Sequence, residues 1–125
     1  KAKSGIRRFI RKKEVEEYAI KFSKRFDAEC IITLGPKGSL LATREGLYKI
    51  DALEVEAIDT VGAGDMFVGA FSAGLFKGEC TTSSLQRATV ASGLTCKFNG
   101  AQPSLVTPQL VDSELQRLPL PRKIA

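Results

Sequence analysis

The chain has 125 residues, 43% hydrophobic and 26% charged, with 19 Lys and Arg against 14 Asp and Glu and no His. This suits a soluble globular piece, and no apolar run approaches the roughly 18 residues of a membrane helix, nor is a signal peptide evident. The net charge of +5 is concentrated in residues 1–25, which hold 10 Lys and Arg against 3 Glu, so the rest of the chain sums to −2; no aromatic stacking motif accompanies that segment, and a solvated helix face is read in preference to a nucleic-acid arm.

In chain order, Val15, Tyr18, Ala19, Phe22 and Phe26 recur at helical spacing, so Glu14 to Phe26 is expected to be an amphipathic helix. Cys30-Ile31-Ile32-Thr33-Leu34 reads as a buried strand that Gly35-Pro36-Lys37-Gly38 breaks sharply. Ser39 to Thr43 resumes an extended pattern, Arg44-Glu45-Gly46 forms a hairpin turn, and Leu47 to Ile50 returns. Leu53, Val55 and Ala57 alternate with Glu54 and Glu56, which suits a strand running to Asp59. Asp65 to Phe76 reads as a mostly apolar helix ended by Gly78, and a second helix is expected from Ser84 to Lys97, where Ala88, Ala91 and Gly93 permit close packing beside the first. Thr107-Pro108 is an N-cap followed by Pro at the first helical position, opening a last helix through about Leu118.

Between the strand and the apolar helix stands Asp59-Thr60-Val61-Gly62-Ala63-Gly64-Asp65. Gly62 and Gly64 can bring backbone N–H groups close to a ligand, and the helix N-terminus adds roughly half a positive charge at the same place. A phosphate fits there. Asp65 is the exception, because electrostatics alone would prefer a cation beside a phosphate. A general base acting on an attacking hydroxyl explains it, and such catalysis is typically worth on the order of 100 to 10,000-fold in rate; the other reading is a plain helix N-cap. Gly35-Pro36-Lys37-Gly38 likewise reads either as an ordinary loop or as a ligand turn, and it lacks the GxxxxGK[ST] spacing of a P-loop.

Taken together, DTVGAGDMF from Asp59, TLGPKG from Thr33 to Gly38, and the Gly-Ala-Gln-Pro-Ser run ending at Ser104 resemble the ribokinase-like, or PfkB, carbohydrate kinases over about Gly5 to Leu118. The resemblance implies a three-layer αβα fold with a mostly parallel sheet, and ATP-dependent phosphorylation of a sugar hydroxyl. By resemblance Asp65 is the catalytic base and the Gly62-Ala63-Gly64 backbone an anion hole. Thr33, Leu34, Gly35, Pro36, Lys37, Gly38, Gly64 and Asp65 are then ATP contacts, with Thr89 near the adenine, where the family often has Asn or His. A monovalent cation, K+, would be held largely by backbone carbonyls of Asp59, Val61, Thr95, Phe98, Gly100 and Ser104; Asp59 could equally cap the neighbouring turn through its side chain.

Family members run to roughly twice this length or more, well above a single-domain minimum. Residues 1–125 are therefore expected to be the C-terminal nucleotide-binding and catalytic part of one incomplete kinase domain. The N-terminal sugar-binding signature, the lid strands and the Asn-x-x-Glu segment that helps position Mg2+ have no counterpart. The competing reading is a non-catalytic nucleotide-binding or interaction module derived from a truncated sugar kinase. A sheet edge left without neighbours invites pairing with a second copy or with the missing N-terminal part. Cys30, Cys80 and Cys96 are odd in number and widely spaced, which fits no zinc site or disulfide framework; Cys30 and Cys96 read as buried thiols of a reducing, cytoplasmic compartment.

Overall fold

A computed structural model of the chain describes residues 12–55, 62–98 and 106–125. Helix α1 spans Lys12–Phe26, strand β1 Cys30–Thr33, β2 Ser39–Thr43 and β3 Gly46–Ile50; α2 spans Ala63–Phe76, α3 Thr81–Phe98 and α4 Pro108–Glu114, and β4 is Arg122–Lys123. Short 3-10 turns occupy Gly35–Lys37 and Leu115–Arg117.

The sheet has the order β1-β2-β3-β4, and every pairing among the described residues is antiparallel. The expected, mostly parallel sheet is not seen among the described strands. The connections decide it, because a parallel crossover needs a dozen or more residues and β1, β2 and β3 are joined by turns far shorter than that. The expected strand from Leu53 is not formed over 51–55, and Ala57 to Asp59 lie outside the described residues. Its alternation nevertheless survives, with Leu53 buried and Glu54 exposed.

Register places Ile31, Leu41 and Tyr48 in line on one face, and Ile32, Leu40 and Lys49 in line on the other. Both faces are covered. On the first, Leu41, Ile50 and Leu53 join Phe67 of α2, Leu85, Ala88, Ala91 and Leu94 of α3, and Val111 of α4 in one apolar cluster. On the second, Leu40, Ala42 and Leu47 pack with Ala19 of α1, flanked by Val15 and Ile32. The layers are thus helix, sheet, helices. Burying a side chain such as Leu41 stabilises this arrangement by roughly 2 kcal/mol.

Helix α1 exists as expected, but its aromatic stripe does not face the sheet. Tyr18, Phe22 and Phe26 stay 60%, 49% and 57% exposed, while Ala19 and Ser23 are buried. Phe22 and Phe26 instead lie against each other, tilted by 46°, with ring centroids 4.6 Å apart. Cys30 and Cys96 are half-buried rather than buried, and no disulfide links any of the three cysteines. The close approach expected of Gly93 is real, but its neighbour is Leu53; between α2 and α3 the tight contact is Gly74 against Ser84. No helix among the described residues is long and apolar enough to cross a membrane.

Candidate functional site

Two backbone devices stand out, one on each side of the undescribed segment 56–61. The first is the turn after β1. Leu34 N–H donates to Gly38 O at 2.7 Å, Lys37 N–H to Leu34 O at 3.2 Å, and Gly38 N–H to Gly35 O at 3.0 Å, closing a compact loop. Gly38 has φ +92°, and a Cβ there would be driven into Ile50 O. Only glycine fits. The closed loop is held from outside by Lys49, whose Nζ donates to Lys37 O at 2.8 Å.

The second device is the start of α2. Gly62 occupies the N-cap in the left-handed region (φ +84°) with no side-chain cap, and Met66 N–H donates to Gly62 O at 3.0 Å. The N–H groups of Ala63, Gly64 and Asp65 then have no acceptor within the helix, as at every helix start. Among the described residues the space around Gly62 and Gly64 is open, with no atom beyond their chain neighbours and own helix backbone within 4 Å of a Cβ built at either. Asp65 is the third helical residue and exposed. Gly62 holds the cap position, so the N-cap reading of Asp65 does not hold.

A groove of about 930 Å³ runs along the first device, lined by Leu34, Pro36 and Lys37 together with Lys49, Asp51 and Arg117. It contains three expected nucleotide contacts; Gly62 to Asp65 and Thr89 are not among its walls. Thr89 lies in the interior at 5% exposure, with its hydroxyl donating to Leu85 O at 2.7 Å. β-Branched and small, it fills its own helix instead of an open face. Of the six expected cation ligands, Asp59, Val61, Gly100 and Ser104 lie outside the described residues. Thr95 and Phe98 fall in the last turn of α3, where orphan carbonyls suit a cation.

Lys49 and Arg117 escaped the sequence reading. For Lys49 the sequence holds no signal, because its apolar lateral neighbours Leu40 and Ile32 are set only by the strand pairing.

The family model for the pfkB family carbohydrate kinases matches residues 7–108. The chain belongs to this family. Among its relatives, the ribokinase of Lactococcus lactis is 38% identical over 104 residues, covering 83% of this chain and 33% of that protein. Among solved structures, the ribokinase of Thermotoga maritima superposes with a TM-score of 0.69 at 28% identity, covering 84% of this chain and 40% of that one. The Arabidopsis thaliana ribokinase, complexed with ribose and ATP, gives a TM-score of 0.73 at 25% identity, covering 85% of this chain and 35% of that one. The chain thus spans about a third of the length of the curated ribokinase it matches. Its fold is that of the pfkB kinases, seen as one partial α/β piece.

Proposed function

We propose that this segment is the nucleotide-binding and catalytic part of an ATP-dependent sugar kinase, ribokinase or a related carbohydrate kinase. The observation that carries the reading is the uncapped start of α2, where left-handed Gly62 opens a row of backbone donors and Asp65 stands exposed three residues on. Phosphoryl transfer asks mainly for positioning and charge stabilisation. The Gly62-Ala63-Gly64 backbone would take up charge on the transferred phosphoryl group, where losing one such donor typically costs about 3 kcal/mol. Asp65 would remove the proton from the sugar hydroxyl as it attacks.

ATP would lie across Thr33 to Gly38 and reach Gly64 and Asp65, with Thr89 beneath the adenine region through its helix. The ribokinase matches and the Gly-Ala-Gln-Pro-Ser run favour ribose as acceptor. Mg2+ would arrive on the phosphates of ATP, since no three acidic or Cys side chains among the described residues group closely enough to hold a metal; no step is assigned to it. A K+ ion at the end of α3, beside Thr95 and Phe98, would offset negative charge near the anion hole. Three cysteines outside any disulfide suit a reducing, cytoplasmic setting, and the outer edge of β1, unpaired among the described strands, is where further sheet or a second copy would add.

A second reading, a nucleotide-binding module without turnover, draws on the one-third coverage of the ribokinase relative. Ribose-dependent ADP release separates the two. The kinase reading expects it from the longest gene product containing these residues, and expects the 125-residue chain alone to bind ATP weakly without turning over ribose. ATP binding by the longest product with no turnover on any sugar would leave the module.

A further inference from the structure

Lys49 occupies an unusual place for an ammonium. Its register partner is Leu40, which in turn faces Ile32, so it stands on the side of the sheet that α1 covers. Only 12% of its side chain is exposed. Withdrawing a lysine from water is unfavourable unless its donors are satisfied. Two groups do so: Lys37 O at 2.8 Å and the Asp51 carboxylate at 3.3 Å. Asp51 is itself approached by Arg122 of β4 at 3.6 Å, which ties the C-terminal strand into the same chain of charges.

The carbonyl chosen is informative. Within the turn, Leu34 O and Gly35 O already accept from Lys37 N–H and Gly38 N–H. Lys37 O ends the 3-10 segment, and the last carbonyls of a helical turn have no partner within it. Lys49 supplies that partner from a neighbouring strand. The consequence is a fixed orientation, because a carbonyl held by Lys49, itself on the groove wall, is not free to turn its oxygen toward a ligand beside Lys37 and Pro36. A free carbonyl oxygen there would repel a phosphate.

We propose that Lys49 is a positioning residue for ATP: it anchors the Lys37 carbonyl, and so fixes the Gly35–Gly38 backbone in the shape that accepts the nucleotide, while Asp51 holds the ammonium in place. The assignment rests on the reading of Thr33 to Gly38 as an ATP-binding turn. It gives Lys49 no direct role in the transfer, which stays with Asp65 and the start of α2.

The test is titration of the longest gene product containing these residues with MgATP by calorimetry, for the unaltered chain and for Lys49→Met, Lys49→Arg, Asp51→Asn and Val111→Ala, each checked for folding by circular dichroism. Lys49→Met keeps the stem and removes the donors, and is expected to weaken ATP binding about tenfold, the size of one charge-assisted hydrogen bond. Amide exchange at Leu34, Lys37 and Gly38 should quicken in the same variant. Lys49→Arg, which can still donate to Lys37 O, should bind within about threefold of the unaltered chain. Val111→Ala destabilises the opposite layer and should leave the ATP affinity unchanged, so a loss confined to Lys49→Met is not a general softening of the fold. Should Lys49→Met fail to fold, Asp51→Asn, at an exposed carboxylate, carries the test with an expected loss of about two- to threefold. ATP binding untouched by the Lys49 or Asp51 change, or a Lys49→Arg variant as weak as Lys49→Met, overturns the proposal alone. An unaltered chain that takes up no MgATP overturns the nucleotide-turn reading and this assignment with it.

Discussion

Gly38 lies so close against Ile50 that a Cβ on Gly38 would be driven into the Ile50 carbonyl oxygen and would meet Asp51 Cα at 2.9 Å. The turn after β1 is therefore pressed onto the exit of β3, and sequence positions 12 residues apart set one another's backbone.

This contact separates two glycines of the same turn. Gly38→Ala meets both a wrong φ and a backbone neighbour, and should cost about 3 kcal/mol, at the upper end for a strained position. Gly35→Ala meets only the left-handed penalty, since nothing lies within 4 Å of its Cβ position, and should cost about 1–2 kcal/mol. Urea unfolding of the two variants measures the difference; equal losses would contradict the packing described.

Arg87 of α3 ties the connection after α2 to α4. Its guanidinium donates to both carboxylate oxygens of Glu79, at 3.1 and 3.0 Å, and to Asp112 at 2.5 Å. The Arg87 and Glu79 side chains are only 19% and 30% exposed, whereas Asp112 is 59% exposed. Arg87→Met should thus lose about 2 kcal/mol, chiefly through Glu79. Asp112→Asn should lose no more than about 0.5 kcal/mol, because solvent screens that arm. A double-mutant cycle with Glu79→Gln reads the coupling directly.

Cys80 should be the reactive thiol. Hydrogen bonds from Thr82 first, then Ser83, lower its pKa to about 7, whereas burial raises that of Cys30. The thiolate is the nucleophile, so the alkylation rate of Cys80 should rise through pH 7 and level off above it, while Cys30 continues to gain toward higher pH. Peptide mapping after limited iodoacetamide treatment at pH 7 should find Cys80 labelled first, and Thr82→Ala should move its half-point upward.

Thr107 shows what the sequence could reveal. Its hydroxyl accepts from Leu110 N–H at 3.2 Å with Pro108 at the first helical position, as the Thr-Pro pair implied; Thr107→Ala should cost about 1 kcal/mol in thermal unfolding, and Thr107→Ser much less. Caps and glycine turns are legible because their chemistry is local, and the hairpin at Arg44 to Gly46 and the end of α2 at Gly78 were read on the same grounds. What failed was non-local. Two residues, Arg122 and Lys123, pair with β3 through register alone, and no periodicity exists in so short a strand. The helical spacing of Tyr18, Phe22 and Phe26 identified a face, but not the rotation that leaves it in water while Ser23 turns inward. For the site, the Gly-rich turns were visible as motifs; the Lys49 bond to Lys37 O depends on which side of the sheet Lys49 occupies, and that follows only from the pairing of β3 with β2.

Turnover as proposed depends on Asp65 as the base. The most direct measurement is steady-state kinetics of Asp65→Asn in the longest gene product containing this chain, with ribose as acceptor, alongside its ATP dissociation constant. Loss of the base should lower kcat by at least about 100-fold while the ATP affinity stays within about threefold. Turnover equal to that of the unaltered protein would contradict the assignment.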